Sequence, residues 1–187
     1  NPESYRKAIR FMKQAEKFGR PVITFIDTKG AYPGIGAEER GQGEAIAKSM
    51  FEMAKLKVPT IAIIVGEGSS GGALAIGVAN KVLMLENAIY SILSPEGYSS
   101  ILWKDSGRYK EAAEKMKLTA EDLYELKVID KIIEEPDGDE KESFNKIINT
   151  LKEEINKSII EMKKLDADSI VENRYQKFRN MGEFIRL

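Results

Sequence analysis

The chain contains two short apolar runs, each followed directly by a glycine-rich stretch, and this arrangement limits the fold more than any other feature. Pro21–Asp27 (PVITFID) precedes the stretch TKGAYPGIGA, and Thr60–Val65 (TIAIIV) precedes GEGSSGG. Continuous β-branched and aromatic runs of this length are typical of strands buried in a parallel sheet. Helical spacing or composition resumes after each stretch, over Glu38–Leu56 and Gly72–Ala79. The alternation of strand, glycine loop and helix therefore predicts an α/β fold.

The same patterns extend this prediction to the rest of the chain. Strands are expected at Lys81–Glu86, Ile89–Leu93 and Val128–Ile133, and helices at Glu3–Phe18, Glu140–Lys164 and Ser169–Asn180. Ser94 followed by Pro95 predicts an N-cap with proline at the first helical position. A length of 187 residues fits one domain, residues 1–187, in which residues 138–187 form a helical C-terminal extension. Because the chain begins at Asn1 and not at methionine, we expect it to be truncated at its N-terminus.

The composition excludes several classes of chemistry. The chain has no cysteine and no histidine, which excludes zinc-ribbon and histidine metal sites, Ser-His and Cys-His nucleophile pairs, and disulfides. The 29 basic and 30 acidic residues nearly balance, so no strong field attracts nucleic acid or anionic lipid. There is no signal peptide and no apolar run of about 18 residues, so we expect a soluble cytoplasmic protein without membrane contact.

The second glycine-rich stretch, Gly66–Ala75 (GEGSSGGALA), matches two functional motifs at once. Its first six residues spell G-x-G-x-x-G, typical of a dinucleotide-binding loop, and Gly68–Gly72 spell G-x-S-x-G, typical of a nucleophilic serine. The dinucleotide interpretation is supported by Glu86 at the end of the next strand and weakened by the short helix between them. The serine interpretation requires Lys29 or Lys81 as the base, because histidine is absent.

A third interpretation uses the backbone instead of side chains. The N–H groups of Gly71 and Gly72, at the start of a helix, can both point at one oxygen that carries negative charge. We expect the stretch Asp27–Gly36 to face them across a crevice, and the hydroxyls of Ser69 and Ser70 to act as helix N-caps. This interpretation predicts an oxyanion-stabilising site. The alternative for each stretch is that glycine serves turn geometry alone.

Three long strings together resemble one family. DTKGAYPGIGAEERGQGEAIA, GEGSSGGALAIGVANKVLMLENAIYSILSPEGYSSILW and ENRYQKFR are similar to the carboxyltransferase alpha subunit of bacterial acetyl-CoA carboxylase, and the resemblance runs from Tyr5 to about Phe178. It implies a crotonase-like fold, a superhelix of β-β-α turns. It also implies a heterotetramer of two alpha and two beta subunits that transfers a carboxyl group from carboxybiotin to acetyl-CoA. The product, malonyl-CoA, enters fatty acid synthesis. The implied partners are the biotin carboxyl carrier protein and, in the larger complex, the ATP-binding biotin carboxylase.

The resemblance assigns the biotin side of the reaction to this chain. The N–H groups of Gly71 and Gly72 would bind the ureido oxygen of biotin, while the beta subunit binds CoA and stabilises the enolate. The other biotin-binding residues it implies are Gly30, Ala31, Tyr32, Pro33, Gly34, Gly68, Ser69 and Ser70. No metal is expected on this chain. Because carboxybiotin that has lost CO2 leaves a basic nitrogen, Asp27, Glu38 and Glu67 are expected in capping, loop-bonding or solvated roles.

Two residues depart from the family pattern. Lys29 stands where proline is usual, so the conformation of the following loop is less constrained and its ammonium could contact an anionic group. Ser69 stands where glycine is usual.

Two other functions stay open. The alternative functions are a stand-alone crotonase-like acyl-CoA hydratase, isomerase or decarboxylase, and a Ser-Lys hydrolase. Labelling of Ser70 by a fluorophosphonate would distinguish the hydrolase.

Overall fold

The computed structural model describes residues 1–182 as a five-stranded parallel sheet with helices packed on both faces. The strands are β1 (Val22–Thr28), β2 (Thr60–Ser69), β3 (Lys81–Leu85), β4 (Ile89–Ser91) and β5 (Lys131–Ile133). The helices are α1 (Pro2–Lys17), α2 (Ile35–Glu39), α3 (Gln42–Lys55), α4 (Ser70–Leu74), α5 (Pro95–Trp103), α6 (Tyr109–Met116), α7 (Ala120–Glu125), α8 (Glu140–Met162) and α9 (Ala167–Arg179). Among residues 1–182, no helix has the length and apolar character needed to cross a membrane.

The strand β2 has different neighbours along its length, and this gives the fold its coil. The sheet order is β1-β2-β3-β5, and residues 61–64 of β2 pair with β3. Residues 67–69 of β2 pair instead with β4. Because β2 pairs with β3 along one part of its length and with β4 along the other, it joins two successive turns of the fold. The chain therefore winds as a superhelix of strand-strand-helix turns, and α8 and α9 follow at its C-terminal end. The crotonase-like architecture implied by the sequence is therefore confirmed.

Two expectations about the second glycine-rich stretch are wrong. Residues 66–69, expected as a loop, continue β2, and α4 covers Ser70–Leu74 instead of Gly72–Ala79. The reason is pairing on both sides, since Gly68 lies in register with Thr28 of β1 and with Tyr90 of β4. Tertiary pairing here overrides the local preference of glycine for turns.

The strand β1 was expected to be buried on both faces, and it is buried on one. Val22 and Ile26 are buried, but Ile23 is 37% and Phe25 57% exposed. This strand is at the edge of the sheet, and α8 packs on β2, β3 and β5 without covering it. One face of β1 therefore presents apolar side chains to solvent.

Other elements differ from expectation at their ends. Gly41 has a φ of 76°, a left-handed conformation that divides the expected helix Glu38–Leu56 into α2 and α3. The strand expected at Val128–Ile133 is shorter, and α6 and α7 were not predicted by any pattern. The helices α1, α8 and α9 are confirmed. Ser94 is confirmed as the N-cap of α5, where its Oγ accepts a hydrogen bond from the N–H of Gly97.

A buried arginine from the string ENRYQKFR joins α9 to the rest of the fold. Arg174 is 1% exposed. Its guanidinium donates hydrogen bonds to the carbonyl oxygens of Met53, Ala54 and Leu56 (3.0 Å each) and Val58 (3.2 Å), to Asn80 Oδ1 (2.7 Å) and to Thr60 Oγ1 (3.1 Å). Several of these carbonyls lie at the C-terminal end of α3, where a helix leaves carbonyl groups unpaired. Burial lowers the pKa of Arg174 to about 10, so the side chain remains charged at neutral pH.

We expect Arg174→Lys to lower the free energy of unfolding by about 3 kcal/mol, because a single ammonium group leaves several buried carbonyls unpaired. Urea denaturation followed by circular dichroism measures this change. Arg179→Lys is the matched control, since Arg179 lies exposed on the same helix, and we expect it to change stability by less than about 0.5 kcal/mol. Equal effects of the two substitutions would contradict the role of Arg174.

Candidate functional site

The two glycine-rich stretches lie side by side because β1 and β2 are parallel neighbours. Parallel strands end at the same edge of a sheet, so the residues that follow β1 meet the end of β2 and the start of α4. Asp27 links the two strands at this edge. Its Oδ1 accepts a hydrogen bond from the backbone N–H of Glu67 at 3.1 Å. This is the loop-bonding role expected for Asp27.

At Gly72 the two stretches are in direct contact. A Cβ atom at this position would lie 2.7 Å from both the backbone nitrogen of Ala31 and the carbonyl carbon of Gly30, which is closer than real contacts allow. Gly30 itself has a φ of 120°, a conformation that favours glycine. Backbone therefore touches backbone, and the crevice expected between the stretches is closed at Gly72.

An open cavity of about 690 Å³ lies at the start of α4, with Ser70 and Gly71 in its wall. Leu74, Tyr90 and Phe178 line other parts of it. The other predicted site residues do not line this cavity: Gly30, Ala31, Tyr32, Pro33, Gly34, Gly68, Ser69 and Gly72. The structure therefore divides the predicted site into a cavity and a separate glycine contact that supports it.

The expectation that Ser69 and Ser70 cap α4 through their hydroxyls is wrong. Ser69 occupies the N-cap position, but its side chain makes no capping hydrogen bond. Its Oγ lies 3.4 Å from Ser91 Oγ, because Ser69 is still paired with Ser91 as part of the sheet. Ser70 has a left-handed φ of 57° at the first position of α4. Neither serine hydroxyl therefore caps the first-turn N–H groups of α4.

The two lysines required by a serine hydrolase do not support that function. Lys29 is exposed, and its Nζ lies 3.8 Å from Glu67 Oε1, so the anionic group it contacts belongs to the chain itself. Lys81 is in register with Ile61, near the start of β2 and so at the opposite end of this strand from Ser70. The serine interpretation therefore gains no base from this arrangement.

The carboxylates near the site have roles consistent with the expectation that they are not bases. Glu67 faces Lys29. Glu38 lies exposed in the first turn of α2, where the helix dipole favours negative charge. Within residues 1–182, no cluster of three or more His, Cys, Asp or Glu side chains could hold a metal ion.

A glutamine that the sequence patterns did not single out positions the first glycine-rich stretch. Gln42, at the first position of α3, is 3% exposed, and its Nε2 donates a hydrogen bond to the carbonyl oxygen of Tyr32 at 3.1 Å. The ring of Tyr32 folds over Gly34, where a Cβ atom would lie 2.2 Å from Cε1 of the ring. A polar residue at the start of a helix was the only local signal, and its burial depends on tertiary contacts.

Similarity to known proteins shows which family the chain belongs to. The family model described as acetyl co-enzyme A carboxylase carboxyltransferase-like matches residues 1–182. The chain belongs to this family. It is 59% identical over 182 residues to the acetyl-coenzyme A carboxylase carboxyl transferase subunit alpha of Clostridium botulinum, covering 97% of this chain and 66% of the relative. It is 61% identical over 180 residues to the same subunit of Streptococcus uberis, covering 96% and 69%. The chain thus spans about two thirds of the length of these relatives.

Solved structures of more distant proteins share the fold. A malonate decarboxylase hetero-tetramer from Pseudomonas, in complex with coenzyme A, matches with a TM-score of 0.73 at 16% identity, covering 91% of this chain and 68% of that chain. The transcarboxylase 12S matches with a TM-score of 0.66 at 20% identity, covering 72% and 28%. At these identities the likeness concerns the fold alone, and it agrees with the carboxyltransferase family found by sequence.

The close contact at Gly72 predicts the effect of adding a methyl group there. We expect Gly72→Ala to lower the free energy of unfolding by about 2 kcal/mol, because the methyl must displace the backbone of Gly30 and Ala31. Gly43→Ala in α3 is the control, since within residues 1–182 no atom outside its own helix backbone and chain neighbours lies within 4 Å of its new methyl, and we expect it to raise stability by about 0.5 kcal/mol. Thermal unfolding of both variants measures the difference, and a neutral Gly72→Ala would show that the contact is not close.

Proposed function

We propose that this chain is the biotin-side subunit of an acetyl-CoA carboxyltransferase, which transfers the carboxyl group of carboxybiotin to acetyl-CoA and forms malonyl-CoA for fatty acid synthesis. The observation that carries the proposal is the start of α4, where Ser69 provides no side-chain cap for the first-turn N–H groups, Gly71 lines the cavity and Gly72 follows it directly in the helix. Membership of the carboxyltransferase family supports the same function. The biotin carboxyl carrier protein would deliver the carboxybiotin.

The chemistry requires hydrogen-bond donors more than it requires side-chain bases. Carboxybiotin supplies the carboxyl group and, once that group has left, a basic nitrogen that can accept a proton. The part of this chain is then to stabilise negative charge on the ureido oxygen, and the backbone N–H groups of Gly71 and Gly72 can donate to it. Such donors are fixed before the reaction, so no reorganisation is needed when charge develops. The lack of histidine and cysteine fits a site in which the chain supplies backbone donors and biotin supplies the basic nitrogen.

The remaining residues of the predicted site have supporting roles in this proposal. Gly30 and Ala31 hold Gly72 in place through the backbone contact, and Gln42 holds the carbonyl of Tyr32. The exposed ring of Tyr32 is available to the carrier domain or to the partner subunit. Pro33, Gly34, Gly68, Ser69 and Ser70 shape the two backbone stretches around α4.

The other half of the site is proposed to come from a beta subunit that binds acetyl-CoA and stabilises its enolate. We propose a cytoplasmic heterotetramer of two alpha and two beta subunits, acting with biotin carboxylase in a larger complex. The exposed apolar side chains of Ile23 and Phe25 are compatible with burial between subunits. The position of Lys81 and the exposure of Lys29 leave the hydrolase alternative without support.

We expect the isolated chain to form no malonyl-CoA, because it supplies only the biotin half of the site. Adding a beta subunit from a relative, with carboxybiotin and acetyl-CoA, is expected to produce malonyl-CoA, which chromatography of the acyl-CoA products measures. Light scattering should show a heterotetramer in the same mixture. Acyl-CoA turnover by the isolated chain would favour the stand-alone crotonase-like enzyme instead.

The backbone donors can be tested by replacing one glycine with glycolic acid, which converts its N–H to an ester oxygen and adds no Cβ. We expect the ester at Gly71 or Gly72 to lower turnover with the beta subunit by about 100-fold to 1000-fold, the usual effect of losing one oxyanion donor. Proline would also remove the N–H, but at Gly72 its Cβ would collide with the backbone of Gly30 and Ala31.

The matched control for this experiment is the ester at Gly43, which is the second residue of α3 just as Gly71 is the second residue of α4. We expect normal turnover from the Gly43 ester. Normal turnover from both the Gly71 and Gly72 esters would contradict the backbone donors. Fluorophosphonate labelling of Ser70 would point to serine chemistry in their place.

A further inference from the structure

A tyrosine in the cavity wall packs against two glycines. Tyr90, in β4, lines the cavity together with Ser70 and Gly71. A Cβ atom at Gly68 would lie 3.0 Å from Tyr90 Cδ2, so the ring of Tyr90 packs against the bare backbone of β2. A Cβ atom at Gly77 would lie 3.3 Å from the Tyr90 hydroxyl oxygen. Side chains at these two positions would displace the ring, so the two glycines leave the space that the ring and its hydroxyl occupy.

The hydroxyl of Tyr90 is a neutral donor without a partner among residues 1–182. Burial raises the pKa of Tyr90 to about 12, and no hydrogen bond contributes to that rise. The hydroxyl is therefore protonated at neutral pH. The Tyr90 hydroxyl oxygen is also accessible to a ligand. Among residues 1–182, Gln42 Oε1 is the one fully buried side-chain polar atom without a partner, so the unpartnered Tyr90 oxygen is not fully buried. Tyrosine hydroxyls in such surroundings normally have a hydrogen-bond partner, which here a ligand can supply.

The charges of the cavity wall restrict which ligand fits. Lys115 and Lys117 are the two cationic residues of the lining, and each is already paired. Lys115 Nζ lies 3.2 Å from Glu111, and Lys117 Nζ lies 3.0 Å from Asp122. Among residues 1–182, both cationic side chains of the wall therefore already face a carboxylate, which makes the wall less suited to the phosphates of CoA. Leu74 and other apolar side chains of the wall suit an uncharged ring and an alkyl arm.

We propose that Tyr90 is a ligand-contacting residue whose hydroxyl donates a hydrogen bond to the cyclic urea ring system of biotin bound in this cavity. This inference rests on the proposed function, and it deepens it by adding a side-chain donor to the backbone donors of α4. It also gives Gly68 a role in seating the ring of Tyr90, instead of contacting biotin itself. The apolar part of the cavity then holds the thioether ring and the arm that links biotin to its carrier.

Tyr90→Phe tests the donor because it removes one oxygen and keeps the ring. Calorimetric titration of the complex with the beta subunit, using biocytin as the probe, measures the dissociation constant. We expect Tyr90→Phe to raise it about tenfold, the usual effect of losing one hydrogen bond to a ligand. In carboxyl transfer from malonyl-CoA to biocytin, KM for biocytin should rise by the same factor and KM for malonyl-CoA should stay unchanged. Tyr175→Phe, on an exposed tyrosine of α9 outside the cavity, is expected to behave as the wild type.

A second variant tests the cavity itself. Ile92 lines the cavity and is 70% exposed, so Ile92→Trp is expected to leave the fold intact and narrow the entrance. We expect it to weaken biocytin binding at least tenfold. Wild-type binding by Tyr90→Phe would overturn this inference and leave the proposed function standing, whatever the effect of Ile92→Trp. An equal rise of both KM values in Tyr90→Phe would also overturn it, because that result indicates a general structural role. A wild-type complex that neither binds nor carboxylates biocytin would overturn both proposals.

Discussion

The backbone of Gly72 packs directly on the peptide between Gly30 and Ala31, and the arrangement of the site depends on this contact. Parallel pairing of β1 and β2 brings the two glycine-rich stretches to one edge of the sheet, and the missing Cβ lets them touch. The contact fixes the start of α4, so its first-turn N–H groups have one defined direction. The cavity can then form on the other side of this short helix, with Gly71 in its wall.

A second constraint connects the far end of the chain to the same cavity. Arg174 holds α9 to the C-terminal end of α3 through several backbone carbonyls, and Phe178, one turn later on α9, lines the cavity. A buried cation without a carboxylate partner is costly unless its donors are all satisfied, and carbonyl oxygens satisfy them here. The string ENRYQKFR therefore influences the site indirectly, because Arg174 fixes α9 and so positions Phe178 in the cavity wall.

Elements whose signal is local were predictable from the sequence. The helices α1, α8 and α9 and the strands β2 and β3 follow from apolar spacing, and the superhelix followed from the family resemblance. The extension of β2 through Ser69 was not predictable, because it depends on pairing with β4, which lies about 20 residues later in the chain. The same pairing turned Ser69 away from its expected role as a helix cap.

Within the candidate site, the glycines were predictable and their neighbours were not. Glycine carries a local signal, since it marks close approach or unusual φ, whereas Gln42 and Tyr90 look ordinary until their surroundings are known. Their proposed roles rest on burial and, among residues 1–182, on a missing or a single hydrogen-bond partner, which are properties of tertiary structure.

In the proposed function, backbone N–H groups at the start of α4 bind the ureido oxygen of biotin. The most direct measurement is the amide proton chemical shift of each glycine in the complex with the beta subunit, observed with ¹⁵N-glycine labelling while biocytin is added. Formation of a hydrogen bond moves an amide proton downfield, so we predict saturable downfield shifts at Gly71 and Gly72 and no change at Gly43. Unchanged resonances of Gly71 and Gly72 at saturating biocytin, in a complex that turns it over, would contradict the claim.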